Sequence, residues 1–398
     1  MRFSIFPRMY AGTVWASLSK MSLGLYVHFP FCPYLCNYCD FFKVLHSKAL
    51  EEKYFAALTT ETKLVAKELS SDARIDTLFI GGGTPSMANL RLLEAWLKVA
   101  KSSFNFTEKM EFSFECNIDS VDVEKLSALK ELGVTRPSLG MQSFNEPLLK
   151  AITRPHNPRE GHQVVYHCHV LGFPSFNVDL LFGLPGQTSN MFFGDISQLV
   201  DMEPPHISMY QLTVEPNTPL AKSVESGEVG IPDKPTIATM FISGAGTFAD
   251  SGYEHYEISS FAKPGHVCRH NLNYWTGGEF IGLGPSAHSY YNGRNYGNVE
   301  SVGDYINSLS LKQMPRVLNE SGLLKRADET IASGLRLKRG IDRGLFAERF
   351  GIPLDERINP KEYDLLIKSN VIIDEGHTLR TSDTGFFQAD EIARRLMK

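Results

Sequence analysis

From Leu23 to about Glu215, short runs rich in β-branched and aromatic residues alternate with longer stretches in which apolar residues recur every three or four positions. That alternation is expected of strand–helix repeats around a parallel sheet. Strands are predicted at LGLYVHF (23–29), IDTLFI (75–80), EFSFEC (111–116), TRPSLGMQS (135–143), FNVDLLF (176–182) and HISMYQLT (206–213). Helices are predicted over 48–69, 89–100, 123–132, 158–171 and in the stretch before Asp201. Gly133 suits the left-handed cap of the third, and Pro158 suits the first turn of the fourth, where a missing N–H costs little. Six repeats fall short of the eight that close a full barrel. The expected fold class is therefore α/β, an open, partial (β/α)6 barrel.

Past Glu215 the regularity weakens. Residues 216–235 are rich in Pro, Gly and Ser and read as a connecting loop, followed by a helix over 236–249. Residues 252–297 are dense in Gly, Asn, Tyr and His and lack a clean period. From about Glu320 the pattern gives helices over 327–337, 344–350 and 361–369, a hairpin at VIIDEGHTLRTS (371–382) and a last helix, the order of a winged-helix-like α+β domain. Four segments are expected: an extension (1–22), the barrel (23–235), a barrel-completing region (236–319) and the C-terminal domain (320–398).

The 398 residues are 42% hydrophobic and 21% charged, the balance of a globular protein with a large core. A formal charge of -5 provides no overall field for nucleic acid or an anionic membrane, and the fourteen basic residues from Glu320 onward are matched by fourteen acidic ones. Nucleic acid is thus not an expected partner, despite the winged-helix pattern. No run of about 18 apolar residues occurs to form a membrane span, and a cytoplasmic location is expected. The first twenty residues carry Arg2, Arg8 and Lys20 and no acid. They are loosely like a transit peptide, but read more simply as a disordered extension or a misassigned start with Met21 as the true first residue.

Three of the six cysteines lie at Cys32, Cys36 and Cys39, a CxxxCxxC spacing on the loop after the first strand. Thiols this close cannot staple distant parts of a large fold, so metal ligation is the better reading. Three thiolates can hold three irons of a [4Fe–4S] cluster and leave the fourth open. Zinc is the competing metal, but a structural zinc site normally fills four positions, and the nearby His28 sits on the strand, pointing away or into the sheet as easily as toward the loop. Cys116, Cys168 and Cys268 read as small buried hydrophobes.

The cysteine motif, joined to the Gly81-Gly82-Gly83-Thr84-Pro85 run after the second strand, resembles the radical S-adenosylmethionine (SAM) superfamily. Within it, the chain from Leu23 onward is similar to the oxygen-independent coproporphyrinogen III oxidase-like family. The resemblance implies a radical SAM barrel whose cluster is held by Cys32, Cys36 and Cys39 and whose open iron takes SAM. It implies a SAM site formed by Tyr26, Tyr38, Gly83, Thr84, Glu115, Gln142, Arg154 and Asp179. The glycines are expected to let the backbone approach SAM closely. IGLGPSAHS (281–289) is expected to close the pocket.

Two features depart from the oxidases of that family. Phe41 stands where they carry a further cysteine, and His270-Asn271-Leu272-Asn273-Tyr274-Trp275 has the HNxxYW form of a haem-chaperone branch. Membership of that branch implies haem as a cofactor or cargo, with His270 and Tyr274 ligating it or stacking on it; the competing reading is a loop whose Asn, Tyr and Trp satisfy one another while packing on the barrel mouth. It also implies an acceptor protein, membrane proteins among the candidates. The oxidase reading, decarboxylation of coproporphyrinogen III, stays open as the alternative.

Overall fold

The structure, a computed structural model, describes residues 23–319 and 322–398. The reading of the N-terminal extension and the boundary placed at Glu320 lie outside the described residues. All six predicted strands form: β1 (Leu23–Phe29), β4 (Ile75–Gly82), β5 (Phe106–Asn117), β6 (Arg136–Gln142), β7 (Asn177–Phe182) and β8 (His206–Gln211). They lie side by side in chain order, every pairing parallel. Two residues form β2 (Phe31–Cys32), which pairs with β3 (Val44–Leu45) and pins both ends of the cysteine loop.

The intervening helices are α1 (Lys48–Ala66), α2 (Leu90–Ser103), α3 (Val123–Glu131), α4 (Glu146–Ala151), α5 (Pro158–Val170) and α6 (Ser189–Asp201). Local chemistry sets their starts: Asn89 caps α2, and Asn157 and Glu160 form a reciprocal capping box on α5. Alternate strand residues settle which face each helix covers. Phe112 and Phe114 of β5, Leu139 and Met141 of β6, and Val178 and Leu180 of β7 join the buried core outside the sheet. Their neighbours Ser113, Glu115, Ser138, Asn177, Asp179 and Ser208 line a cavity inside it. A period of two thus separates a greasy outer face from a polar lumen.

The irregular region holds more structure than its pattern suggests. The stretch read as a connecting loop contains α7 (Pro219–Glu225), and α8 (Lys234–Asp250) follows it. Strands β9 (Glu254–Glu257) and β10 (Ser260–Ala262) extend the sheet beyond β8, antiparallel. On the other edge β11 (Phe280–Leu283) adds a seventh parallel strand beside β1, and β12 (His288–Tyr291), β13 (Arg294–Asn298) and β14 (Arg316–Asn319) continue antiparallel. Segment 281–289 therefore extends the sheet past β1 and does not line the cavity, in place of its expected closing role. Its anchor is Glu61 on α1, whose buried carboxylate accepts from Gly284 N at 2.8 Å, Asn298 Nδ2 at 2.6 Å and Tyr305 OH at 2.6 Å. Tyr305 sits on α10 (Val302–Ser310).

Between the two edges lies α9 (Arg269–Trp275), the HNxxYW segment. The segment is a helix under the sheet, where the competing reading had a loop on the barrel mouth. Its first amides, Arg269 N and His270 N, each donate to the Glu111 carboxylate at 3.0 Å, and the Cys268 thiol donates to the same group. Glu111 thus caps the helix from β5.

The C-terminal part has its own core, with Ile331, Leu335, Phe346, Leu366, Leu379 and Ile392 in contact. Its elements are α11 (Leu323–Gly334), β15 (Ile341–Asp342), α12 (Arg343–Phe350), α13 (Pro360–Lys368), β16 (Ile372–Asp374), β17 (Thr378–Thr381) and α14 (Ala389–Leu396), with β17 central in the small sheet. This is the winged-helix-like α+β arrangement anticipated from the pattern. Backbone bonds Ile258 N to Arg336 O and Lys338 N to Tyr256 O attach it to the barrel.

Candidate functional site

A cavity of about 440 Å³ occupies the barrel lumen, within the range of small-molecule sites. Cys32, Cys36 and Cys39 stand at its upper end, beyond the carboxyl end of β1. Each thiol interacts electrostatically with another of the three. Burial pushes Cys32 and Cys36 up; Lys43 pulls both down, as does Arg154 for Cys36, and the Thr84 hydroxyl donates to Cys32 Sγ at 3.5 Å. Burial outweighs these opposing contacts, so both thiols lie above their ordinary value. Among the described residues, no three Cys, His, Asp or Glu side chains converge as one ion would require. A cuboidal cluster asks for something different, since each iron takes a separate thiolate. His28 is not poised as a fourth zinc ligand. Its Nε2 lies 2.8 Å from the Phe42 carbonyl, and Tyr26 OH lies 3.1 Å from its Nδ1.

The glycine run turns just below. Gly82 has φ +113, and a Cβ there would meet the His28 ring at 2.6 Å; one on Gly83 would meet the Phe31 carbonyl at 2.6 Å. The chain itself fills the space that a side chain would take. Internal packing thus requires glycine at both positions, and the backbone of Gly82 and Gly83 borders the cavity.

Glu115, on the lumen face of β5, accepts from Gly82 N at 2.9 Å. Burial raises its carboxyl to about 8, opposed by that hydrogen bond, so it is largely protonated at neutral pH and can donate as well as accept. Asp179 is pushed up to about 6 by burial, while Asn177 Nδ2 donates to it at 2.7 Å. Gln142 ends β6 at φ +68, an uncommon left-handed conformation for a residue with a side chain. Asn117 Nδ2 donates to Thr84 Oγ1 at 3.1 Å, a contact that sequence reading missed and that polar alternation along β5 could have flagged.

Arg154 follows α4 and is 9% exposed. Its Nη2 donates to Tyr38 OH at 3.3 Å, whereas Nε and Nη1 are buried with no partner. Tyr38, Cys36 and Tyr34 favour its charged form against burial, so Arg154 is a fixed positive charge at the cavity's upper end. Of the SAM residues expected from the sequence, Tyr38, Gly83, Thr84, Glu115, Gln142, Arg154 and Asp179 all line the cavity. Tyr26 stands behind Phe79, ring centroids 6.2 Å apart, and does not line it.

His270 and Tyr274 are not brought to this site. His270 is 1% exposed; its Nδ1 lies 2.8 Å from Thr77 Oγ1 and its Nε2 2.8 Å from Tyr274 OH. Both ring nitrogens are committed, and burial lowers the imidazole to about 3. In this conformation neither residue offers a free lone pair to iron at a cavity, which corrects their expected role as haem ligands.

Residues 26–197 match the Radical SAM superfamily and residues 323–387 the HemN C-terminal domain. The solved structure of coproporphyrinogen III oxidase (HemN) from Escherichia coli superimposes with a TM-score of 0.81 at 19% identity, covering 97% of this chain and 93% of that one. Fold and site together define a radical SAM protein. The heme chaperone HemW of Bacillus subtilis is 35% identical over 83% of this chain and 87% of its own length, and that of Lactococcus lactis 30% identical over 94% and 96%. The Escherichia coli protein of the same name is 36% identical over 67% of this chain and 69% of its own length. The chain belongs to the HemW heme chaperone family.

Proposed function

We propose that this protein is a haem chaperone, binding haem and transferring it to an acceptor protein while carrying a [4Fe–4S] cluster and exchangeable SAM. The observation that carries this is the near full-length similarity to proteins named heme chaperones, with an exposed Phe41 at the cluster loop where the oxidases carry cysteine. Cys32, Cys36 and Cys39 hold the cluster. When bound and reduced, the cluster supplies an electron that can cleave the sulfonium of SAM. The residues' own work is binding and orientation. Arg154, which lines the cavity's upper end, brings the positive charge that pairs with a carboxylate. Largely protonated Glu115 and largely ionised Asp179 hydrogen-bond hydroxyl groups, and Gln142 and Tyr38 complete the wall. The location is proposed to be cytoplasmic; no described helix is long and apolar enough to cross a membrane.

The test is haem titration of the anaerobically reconstituted protein, with and without SAM, followed by transfer to an apo-acceptor. Saturable haem binding, transfer and no conversion of coproporphyrinogen III are expected. Catalytic production of protoporphyrinogen would overturn the reading in favour of an oxidase.

A further inference from the structure

Thr84, at the end of the glycine run, is 2% exposed. Its amide donates to the Phe31 carbonyl at 2.8 Å, which sets the residue beside Cys32, the next in the chain after Phe31. The Thr84 hydroxyl then has two neighbours, Asn117 Nδ2 at 3.1 Å and Cys32 Sγ at 3.5 Å. Among the described residues, neither Cys36 nor Cys39 accepts a hydrogen bond at sulfur.

A hydroxyl has one proton to give. Because Asn117 Nδ2 is itself a donor, it takes an oxygen lone pair of Thr84 and leaves the single O–H for the sulfur. The other side of the amide agrees with this orientation: a Cβ on Gly140 would lie 3.3 Å from Asn117 Oδ1, 3.0 Å from Gln142 Nε2 and 3.5 Å from Arg154 Nη2, so Oδ1 stands on the side of two donors. The Asn117 backbone is held as well, its N donating to Ser86 Oγ at 3.1 Å and its O accepting from Ser120 Oγ at 3.0 Å. The relay from β5 to the cysteine loop thus runs in one direction.

We propose that Thr84 tunes the reduction potential of the cluster through Cys32, with Asn117 as the positioning residue that turns the hydroxyl proton toward the sulfur. The inference rests on the reading that Cys32 ligates the cluster. A reduced cluster carries one more negative charge, shared in part by its thiolate sulfurs. A donor aimed at such a sulfur therefore favours the reduced state and raises the potential.

The test is a potentiometric titration of the anaerobically reconstituted protein without SAM, with dithionite supplying one electron per cluster and iron and sulfide content measured on each sample. Thr84→Val keeps the branched shape and removes the hydroxyl. It should load fully yet make reduction about threefold to tenfold less favourable, a potential lower by up to about 59 mV for one electron. Thr84→Ser, which keeps the donor, should restore the wild-type potential. Asn117→Ala should lower it by less, since the hydroxyl stays but turns freely, and combining it with Thr84→Val should lower it no further than Thr84→Val alone. A potential unchanged or raised in loaded Thr84→Val, or lowered equally in Thr84→Ser, would overturn the proposal. Should Thr84→Val fail to load, Asn117→Ala decides, and an unchanged potential there overturns the proposal equally. Full iron content in Cys32→Ala would overturn the ligand set and this proposal together, whereas a loaded wild type with an unresponsive Thr84→Val overturns this proposal alone.

Discussion

Arg154 Nη2 donates to Tyr38 OH at 3.3 Å, joining the cysteine loop to the turn after α4. The contact fixes the guanidinium at the cavity's upper end with two N–H-bearing nitrogens left over. Arg154→Gln should weaken SAM binding roughly 10- to 100-fold, the worth of a charge-assisted pair of about 1.5–3 kcal/mol. Tyr38→Phe should cost less, since the guanidinium stays. Equilibrium dialysis of SAM against the cluster-loaded protein measures both, and equal affinities in all three proteins would remove Arg154 from the site.

Each of Cys32→Ala, Cys36→Ala and Cys39→Ala should abolish the cluster's absorbance, because two thiolates cannot hold a cuboid whose fourth iron is already open. Cys168→Ala should keep full iron and sulfide content while losing about 1 kcal/mol of stability, as its thiol is wholly buried. Full iron content in Cys36→Ala is the result that would refute the ligand set.

Gly82→Ala should destabilise the fold by about 1–3 kcal/mol, because φ +113 strains a side chain and the new Cβ presses on His28. Denaturant titration of the apo-protein checks this without any ligand. An unchanged midpoint would mean that the turn relaxes freely.

Burial raises Glu61 to about 7. Between pH ~4.5 and 7 the unfolded carboxyl ionises while the folded one keeps its proton. This group therefore lowers stability as pH rises through that window, by about 3 kcal/mol in total. Tyr305→Phe removes a donor that favours the ionised form and pushes the folded value higher. Its cost should be greater at pH 8 than at pH 6, read from unfolding curves at both; equal costs would show that Tyr305 only packs.

His270→Ala should lower stability by about 2 kcal/mol by breaking the Thr77–His270–Tyr274 chain, and Tyr274→Phe by about 1–2 kcal/mol by leaving Nε2 unpaired. Below the unfolding transition, the haem spectrum of either variant should match the wild type. A shifted Soret band in folded His270→Ala would restore the imidazole as an iron ligand.

The strands and helices of the repeat region were legible because their signals are local. LGLYVHF and NVDLLF carry β-rich runs, and Pro158 and Gly133 punctuate helices within a few residues. The cysteine triplet was legible for the same reason, since its chemistry lies in a spacing of eight residues. Strand β11 was not legible: four residues with a glycine among them and another just after have no period of their own, and they pair beside β1 only in the folded sheet. Helix α9 was equally hidden, since its cap, Glu111, comes from a residue more than 150 positions earlier.

By itself, then, the sequence determined the repeat order, the C-terminal winged-helix-like pattern and the cysteine loop. Each follows from backbone preference and hydrophobic period over short distances. Only the tertiary structure decided that His270 would be spent on Thr77 and Tyr274, that the glycines would be held by His28 and Phe31, and that Glu111 would cap the helix that carries His270. A polar side chain's role depends on which donors and acceptors surround it once water is gone. Those neighbours come from strands far apart in the chain and meet only when the sheet curls around its lumen.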